Sequence, residues 1–250
     1  MATGRPDQPS NEPGTMPDEC TRRDNPLLVP DEVGVKFDPN ALYYDMSGDK
    51  HLIILNQHTF KKTIYFQNKQ PSTRTGTDND VKSLKAIFGN LGFEVIVLRD
   101  LECSDIIKNL TAIASKDHSK TSCICITILT HGDKGGEACR GANMDAGNTV
   151  ALDSQSDSVL TIPTHADFLV LCSTVEDHLS YRDMYGSWMI QALCHVMEEH
   201  HEDLDLLHMI TLMNRKVAYE RSTYTPSNKA MNNKKQMPET RFTLTKLLKF

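Results

Sequence analysis

Between His51 and Asn56 the chain strings together Leu52, Ile53, Ile54 and Leu55, a short apolar run closed by polar residues, which predicts a strand buried on both faces. The period then lengthens. Val81, Leu84, Phe88 and Leu91 recur at helical spacing behind Thr77-Asp78, so a helix capped at that pair is expected. Glu94 to Leu98 is β-branched and predicts a second strand, and Ser104 opens a second helix with Ile106, Ile107, Leu110 and Ile113 on its inner face. Cys123 to Thr130 predicts a third, apolar strand. From Arg140 to Thr164 the pattern gives way to Asn, Asp, Gly and Ser, the composition of an exposed linker. Ala166 to Ser173 resumes as a strand, Ser187 caps a helix through His200 with Met189, Ala192, Leu193 and Val196 inward, and Leu204 to Tyr219 forms another helix. Arg241 to Phe250 closes the chain as a strand.

Strands alternating with helices imply right-handed crossovers and an α/β fold, its mostly parallel central sheet flanked by helices on both faces. Ligands of such a sheet bind beyond the C-terminal ends of the strands, where His131 falls. Seven of the eleven prolines lie before residue 40, in a segment with hardly any apolar periodicity. Residues 1–39 therefore read as a disordered leader, 40–139 and 162–250 as two folded regions, and 140–161 as the linker between them.

Composition narrows the chemistry. A formal charge of −6 leaves no basic excess to neutralise phosphates, so neither nucleic acid nor an anionic membrane is expected as a partner. No apolar stretch reaches transmembrane length and no signal peptide follows Met1, so a cytoplasmic location is the default expectation. Seven irregularly spaced cysteines argue against a disulfide framework. Zinc at Cys123, Cys125, His131 and Cys139 ranks below buried strand thiols as an expectation, because alternation points Cys123 and Cys125 to one face of a strand rather than into a knuckle. No metal and no cofactor is expected.

Six local motifs stand in order: Tyr44-Asp45-Met46, Ser72-Thr73-Arg74-Thr75-Gly76-Thr77-Asp78, Thr130-His131-Gly132, Ala138-Cys139-Arg140-Gly141, Ile162-Pro163 with Ala166-Asp167-Phe168-Leu169, and Gly186-Ser187-Trp188. On these the chain resembles the executioner-type caspases with a short prodomain over nearly its whole length after the leader. The resemblance implies an apoptotic cysteine endopeptidase that cuts after aspartate and is made as a zymogen. Cys139 would be the nucleophile and His131 would manage its proton, since thiolate rather than thiol attacks the carbonyl. Backbone N–H groups of Gly132 and Cys139 would form the oxyanion hole. Arg74 and Arg182 match the two S1 arginines, which suit a desolvated carboxylate because guanidinium forks are rigid and permanently charged. Leu179 and Tyr181 match walls of S2, and Asp183 and Trp188 fall near S4, although Trp188 is equally readable as a core anchor. Asp31, Asp145, Asp153 and Asp157 offer aspartyl processing sites. Partners implied are protein or peptide substrates with aspartate at the cut, a second copy or another caspase as dimer partner, and inhibitor-of-apoptosis proteins.

The chain also departs from that pattern. Caspases place the histidine roughly 50 residues before the cysteine, and here eight positions separate His131 from Cys139. Eight residue steps reach ~28 Å when extended, so distance is no obstacle. Yet a parallel neighbour strand needs a crossover of a dozen or more residues, so one central strand and one helix are expected to be missing. A hairpin at Gly135-Gly136 would turn the Cys139 N–H away from the oxyanion, a loss of about 3 to 4 kcal/mol. Glu137 stands where the family has glutamine, and either occupies the S1 arginines itself or faces water. Impaired or absent turnover is therefore expected, with the alternative of a catalytically silent homologue that binds and modulates an intact caspase.

Overall fold

The structure is a computed structural model that describes residues 38–62, 64, 67–131, 165–176 and 178–250. The leader's residues 1–37, and with them Asp31, lie outside the described residues, as do Gly132, Glu137, Cys139, Asp145, Asp153 and Asp157.

Strand β1, Asp49–Asn56, is central in a three-stranded parallel sheet, with β2, Glu94–Arg99, on one side and β3, Thr121–Leu129, on the other. Helix α1, Thr77–Asn90, crosses from β1 to β2, and α2, Cys103–Ala114, crosses back from β2 to β3. Crossovers between parallel strands are right-handed as a rule, and since these two run in opposite directions that rule puts the helices on opposite faces. Residues on alternate positions separate accordingly, as the two-residue period of a strand requires. Leu52 and Ile54, joined by Val95, Val97, Cys123 and Cys125, pack onto α1 and onto two later helices, α3, Trp188–His200, and α4, Leu206–Glu220. Ile53 and Leu55 point to the face of α2.

The remaining strands are short. β4, Leu169–Cys172, pairs antiparallel with the late strand β7, Glu239–Phe242, and this two-stranded sheet rests on the same core through Leu169 and Leu171. β5, Arg182–Asp183, and β6, Gly186–Ser187, form a hairpin that leads directly into α3. Among the described residues, the edge of β3 away from β1 has no strand partner, and β4–β7 is a separate sheet.

Several expectations are corrected. The cap of α1 is Gly76, at φ +89°, rather than Thr77-Asp78, because the Thr77 hydroxyl is spent on Asn56 and Arg74. Ile107 is exposed instead of inward, and none of α2's residues is fully buried. The closing strand ends at Phe242. Beyond it, among the described residues, the tail forms one bridge, between Leu247 and Tyr43, and Phe250 packs edge-on against Phe88 and Phe93. Ile190, absent from the expected inner face of α3, is buried there.

Candidate active site

His131 lies just beyond the C-terminal end of β3, beside the segment that follows β1. Its Nε2 lies 2.8 Å from the carbonyl oxygen of Ser72, which can only accept, so Nε2 carries the proton. Nδ1 is thereby left as the acceptor nitrogen, the one able to take a thiol proton. Phe60 packs against the ring at 4.8 Å between centroids and limits its rotation. Ser72 belongs to a loop that is itself pinned. His58 and Thr59 donate their N–H groups to Asp100 at 2.6 and 2.9 Å, and the Arg74 N–H donates to the His58 carbonyl at 2.9 Å.

Arg74 is only 4% exposed. One terminal nitrogen donates to the Gln57 carbonyl at 3.1 Å and to the Thr77 hydroxyl at 2.8 Å, and Thr77 donates onward to Asn56 at 2.8 Å. Asn56 in turn donates to Asp78, which Arg99 holds at 2.6 Å. The Arg99 hydrogen bond keeps the Asp78 carboxyl below its usual range. Burial pushes the Arg74 guanidinium down to about 10, with repulsion from Arg182 adding and attraction to Asp80 opposing. Arg182, on β5, donates Nε to the carbonyl of Thr75, the residue next to Arg74, at 2.9 Å. The two guanidiniums thus meet on one loop although 108 positions separate them in sequence. Close approach there requires glycine: a Cβ on Gly76 would stand 2.6 Å from the Asp183 carbonyl oxygen.

Around this pair, Tyr181 stacks on Trp188 at 4.9 Å between centroids, and Leu179 is exposed. Trp188 is buried at the start of α3, its ring against Tyr181. Asp183 is engaged inward, accepting from the Tyr185 N–H at 2.8 Å and Gln191 Nε2 at 2.9 Å, with Arg221 at 3.6 Å. Its carboxylate is committed to holding the hairpin. The structure therefore brings Arg74 and Arg182 onto one loop with Tyr181 and Trp188 close by, and hangs His131 from that same loop through Ser72.

Other contributors carried no local signal. The Ser72 carbonyl is backbone, and Asn56, Thr77 and Asp80 act through partners distant in sequence. Cys123 and Cys125 do share a face, with sulfurs 3.7 Å apart, and the hydrogen bond that Cys125 shares with Cys123, together with burial, pushes the Cys125 thiol up, so it stays neutral in the core. Among the described residues no helix is long and apolar enough to cross a membrane.

The caspase-domain model of the C14 peptidases matches residues 49–137 and 136–249. Caspase-3 of Bos taurus is 32% identical over 234 residues, spanning 79% of this chain and 83% of its own length. Caspase-3 of Oryctolagus cuniculus is 33% identical over 253 residues, spanning 86% of this chain and 88% of its own length. Among solved structures, the crystal structure of caspase-1 from Spodoptera frugiperda superposes with a TM-score of 0.70 at 29% identity, covering 87% of this chain and 96% of that one.

Proposed function

The chain belongs to the caspase family, and from that premise we propose that it is an apoptotic, aspartate-directed cysteine endopeptidase by design, made as a cytosolic zymogen, whose turnover in this form is impaired or absent. The observation that carries the aspartate preference is the meeting of Arg74 and Arg182 on one loop beside Tyr181 and Trp188. Two permanent charges in a partly desolvated setting give a carboxylate bidentate partners that no neutral side chain could replace. His131, fixed through Ser72 with Nδ1 open, would accept the proton of Cys139, and the backbone donors of Gly132 and Cys139 would hold the oxyanion.

The impairment follows from the interval after His131. The family match falls in two pieces that meet at Gly136-Glu137, and the alignment to the rabbit protein runs over 253 positions while engaging 86% of a 250-residue chain. Both observations support relatives carrying a stretch with no counterpart here. The outer edge of β3, unpaired among the described residues, is where a further parallel strand would stand. Without such a strand the chain would lack the scaffold on which family members place the nucleophile, and a thiol misplaced by 1 Å would already cost about 10²-fold.

The test is a fluorogenic tetrapeptide ending in aspartate, given to the intact chain and to chain cut at Asp145, Asp153 or Asp157. We expect little or no turnover in any state. Release that disappears in Cys139→Ala would establish a working enzyme, and would remove the impairment.

A second reading has its own observation. Val170, on the face of the β4–β7 sheet turned away from Leu169 and Leu171, is about half exposed, apolar surface beside the C-terminal strand through which the chain would pair with an intact caspase. In this reading the chain modulates its partner and cuts nothing. Co-expression with an intact caspase followed by size-exclusion chromatography tests it, and two separate monomeric peaks would dismiss it.

A further inference from the structure

Behind the arginine pair lies a carboxylate that the proposed chemistry does not use. Asp80, in the first turn of α1, is 1% exposed. Its Oδ1 accepts from the Ser187 N–H at 2.7 Å, while Oδ2 is buried without a hydrogen-bond partner among the described residues. The hairpin that carries Arg182 sits directly on this group: a Cβ on Gly186 would fall 2.3 Å from Oδ1, so only glycine lets the backbone come so near. Arg74 mirrors the arrangement, its Nε buried and equally unpartnered.

We propose that Asp80 is a positioning residue of the carboxylate pocket, the exchangeable counter-charge of Arg74 and Arg182, which takes up a proton when a substrate carboxylate arrives. The proposal rests on the S1 reading above. With the pocket empty, two guanidiniums repel each other, and the ionised Asp80 offsets part of that repulsion. A bound carboxylate supplies the same negative charge from the open side, after which the buried charge is surplus and is relieved by protonation. Ligand affinity and protonation of Asp80 must then favour each other by the same factor.

The surrounding groups leave Asp80 as the element that changes. Asp183 of β5 is held by Tyr185, Gln191 and Arg221, the last at the C-terminal end of α4. Asp78, also on α1, is turned to Arg99 and Asn56. Cys194 faces Asp80 from α3, and burial with the charges of Asp80 and Glu198 pushes its thiol up to about 12, so it stays neutral. Burial pushes the Asp80 carboxyl itself up to about 6, against the pull of the Ser187 hydrogen bonds and of both arginines.

The experiment titrates an acetylated tetrapeptide ending in aspartyl amide into the full chain by calorimetry between pH 5.5 and 8, in buffers of different ionisation heat. The wild type should bind about tenfold tighter at pH 5.5 than at pH 8 and take up a fraction of a proton near pH 6.5. Asp80→Asn, which keeps the acceptor for Ser187, should bind with no proton uptake and a flat pH profile. Binding that disappears in Arg74→Ala, together with an Asp80→Asn profile like the wild type's, would overturn the proposal and leave the pocket standing. Binding that survives Arg74→Ala unchanged, or no binding by the wild type, would overturn the pocket reading and this proposal with it. Should Asp80→Asn fail to fold, carboxyl carbon resonances of the wild type decide: the Asp80 titration midpoint should rise on saturation with peptide, and an unchanged midpoint contradicts the coupling.

Discussion

The two faces of the parallel sheet are made of the same kinds of residue and meet different fates. On one face Leu52, Ile54, Val95 and Val97 press onto α1, α3 and α4, in a core where Leu84, Met209, Met213 and Val217 lose nearly all contact with solvent. On the other, Ile53 and Leu55 of the central strand are covered, but Ile124, Ile126 and Ile128 of β3 remain 41%, 44% and 47% exposed. A row of isoleucines is encoded for burial, and the cover of that face stops one strand short of protecting it. The difference teaches that one side of an α/β sheet can hold a closed core, and with it the loop that brings the two arginines together, while the apolar residues of an edge strand on the other side stay half exposed.

The largest test of this asymmetry is a pair of truncations. Met213→Ala should cost about 2 to 5 kcal/mol, because its side chain leaves a cavity among packed helices. Ile126→Ala should cost less than about 1.5 kcal/mol, since the side chain is already half in water. Urea denaturation measures both, and equal losses would break the contrast between the faces.

The covered side also buries a charge, which sets the next effect. The Asp80 carboxyl, raised by burial from 3.8 to about 6, favours the folded state fully below pH 3.8, and that contribution is lost as pH rises through 6. Asp80→Asn removes the penalty, so the variant should be more stable than the wild type at pH 7.5 by up to about 3 kcal/mol, at about 1.4 kcal/mol per pH unit. The gain should vanish near pH 4. Urea midpoints at the two pH values check it, and a variant less stable at pH 7.5 would show that attraction to the arginines outweighs desolvation.

The smallest effect concerns the open face alone. Ile126→Lys should leave the free energy of urea unfolding within about 0.5 kcal/mol of the wild type while reducing fluorescence of an apolar dye bound to the native protein. A large destabilisation would mean that Ile126 is covered in solution.

How far the chain could be read in advance depends on where each signal is stored. Strand runs such as Leu52–Leu55 and helical spacing such as Val81, Leu84 and Phe88 are local, and they place β1, α1 and the parallel order of the sheet. The arginines are marked by the motifs around them, not by their own chemistry. Thr77 has the composition of a cap, yet tertiary partners claim its hydroxyl and hand the cap to Gly76. Asp80 was illegible because its meaning comes from Ser187 and Gly186, more than a hundred positions later, and the orienting partner of His131 is a main-chain carbonyl with no residue type to betray it. Ile107 was misplaced because helical spacing shows which residues share a face but not how wide the covered stripe is.

Amide hydrogen exchange along β3 tests the missing neighbour most directly. The Leu129 carbonyl accepts from the Gln57 N–H, so Leu129, Thr127 and Cys125 turn their peptide groups toward β1, and Ile128, Ile126 and Ile124 turn theirs to the outer edge. An open edge predicts slow exchange at Cys125 and Thr127 and fast exchange at Ile124, Ile126 and Ile128. Protection at Ile126 equal to that at Thr127 would place a paired strand beside β3 and contradict the loss of the layer.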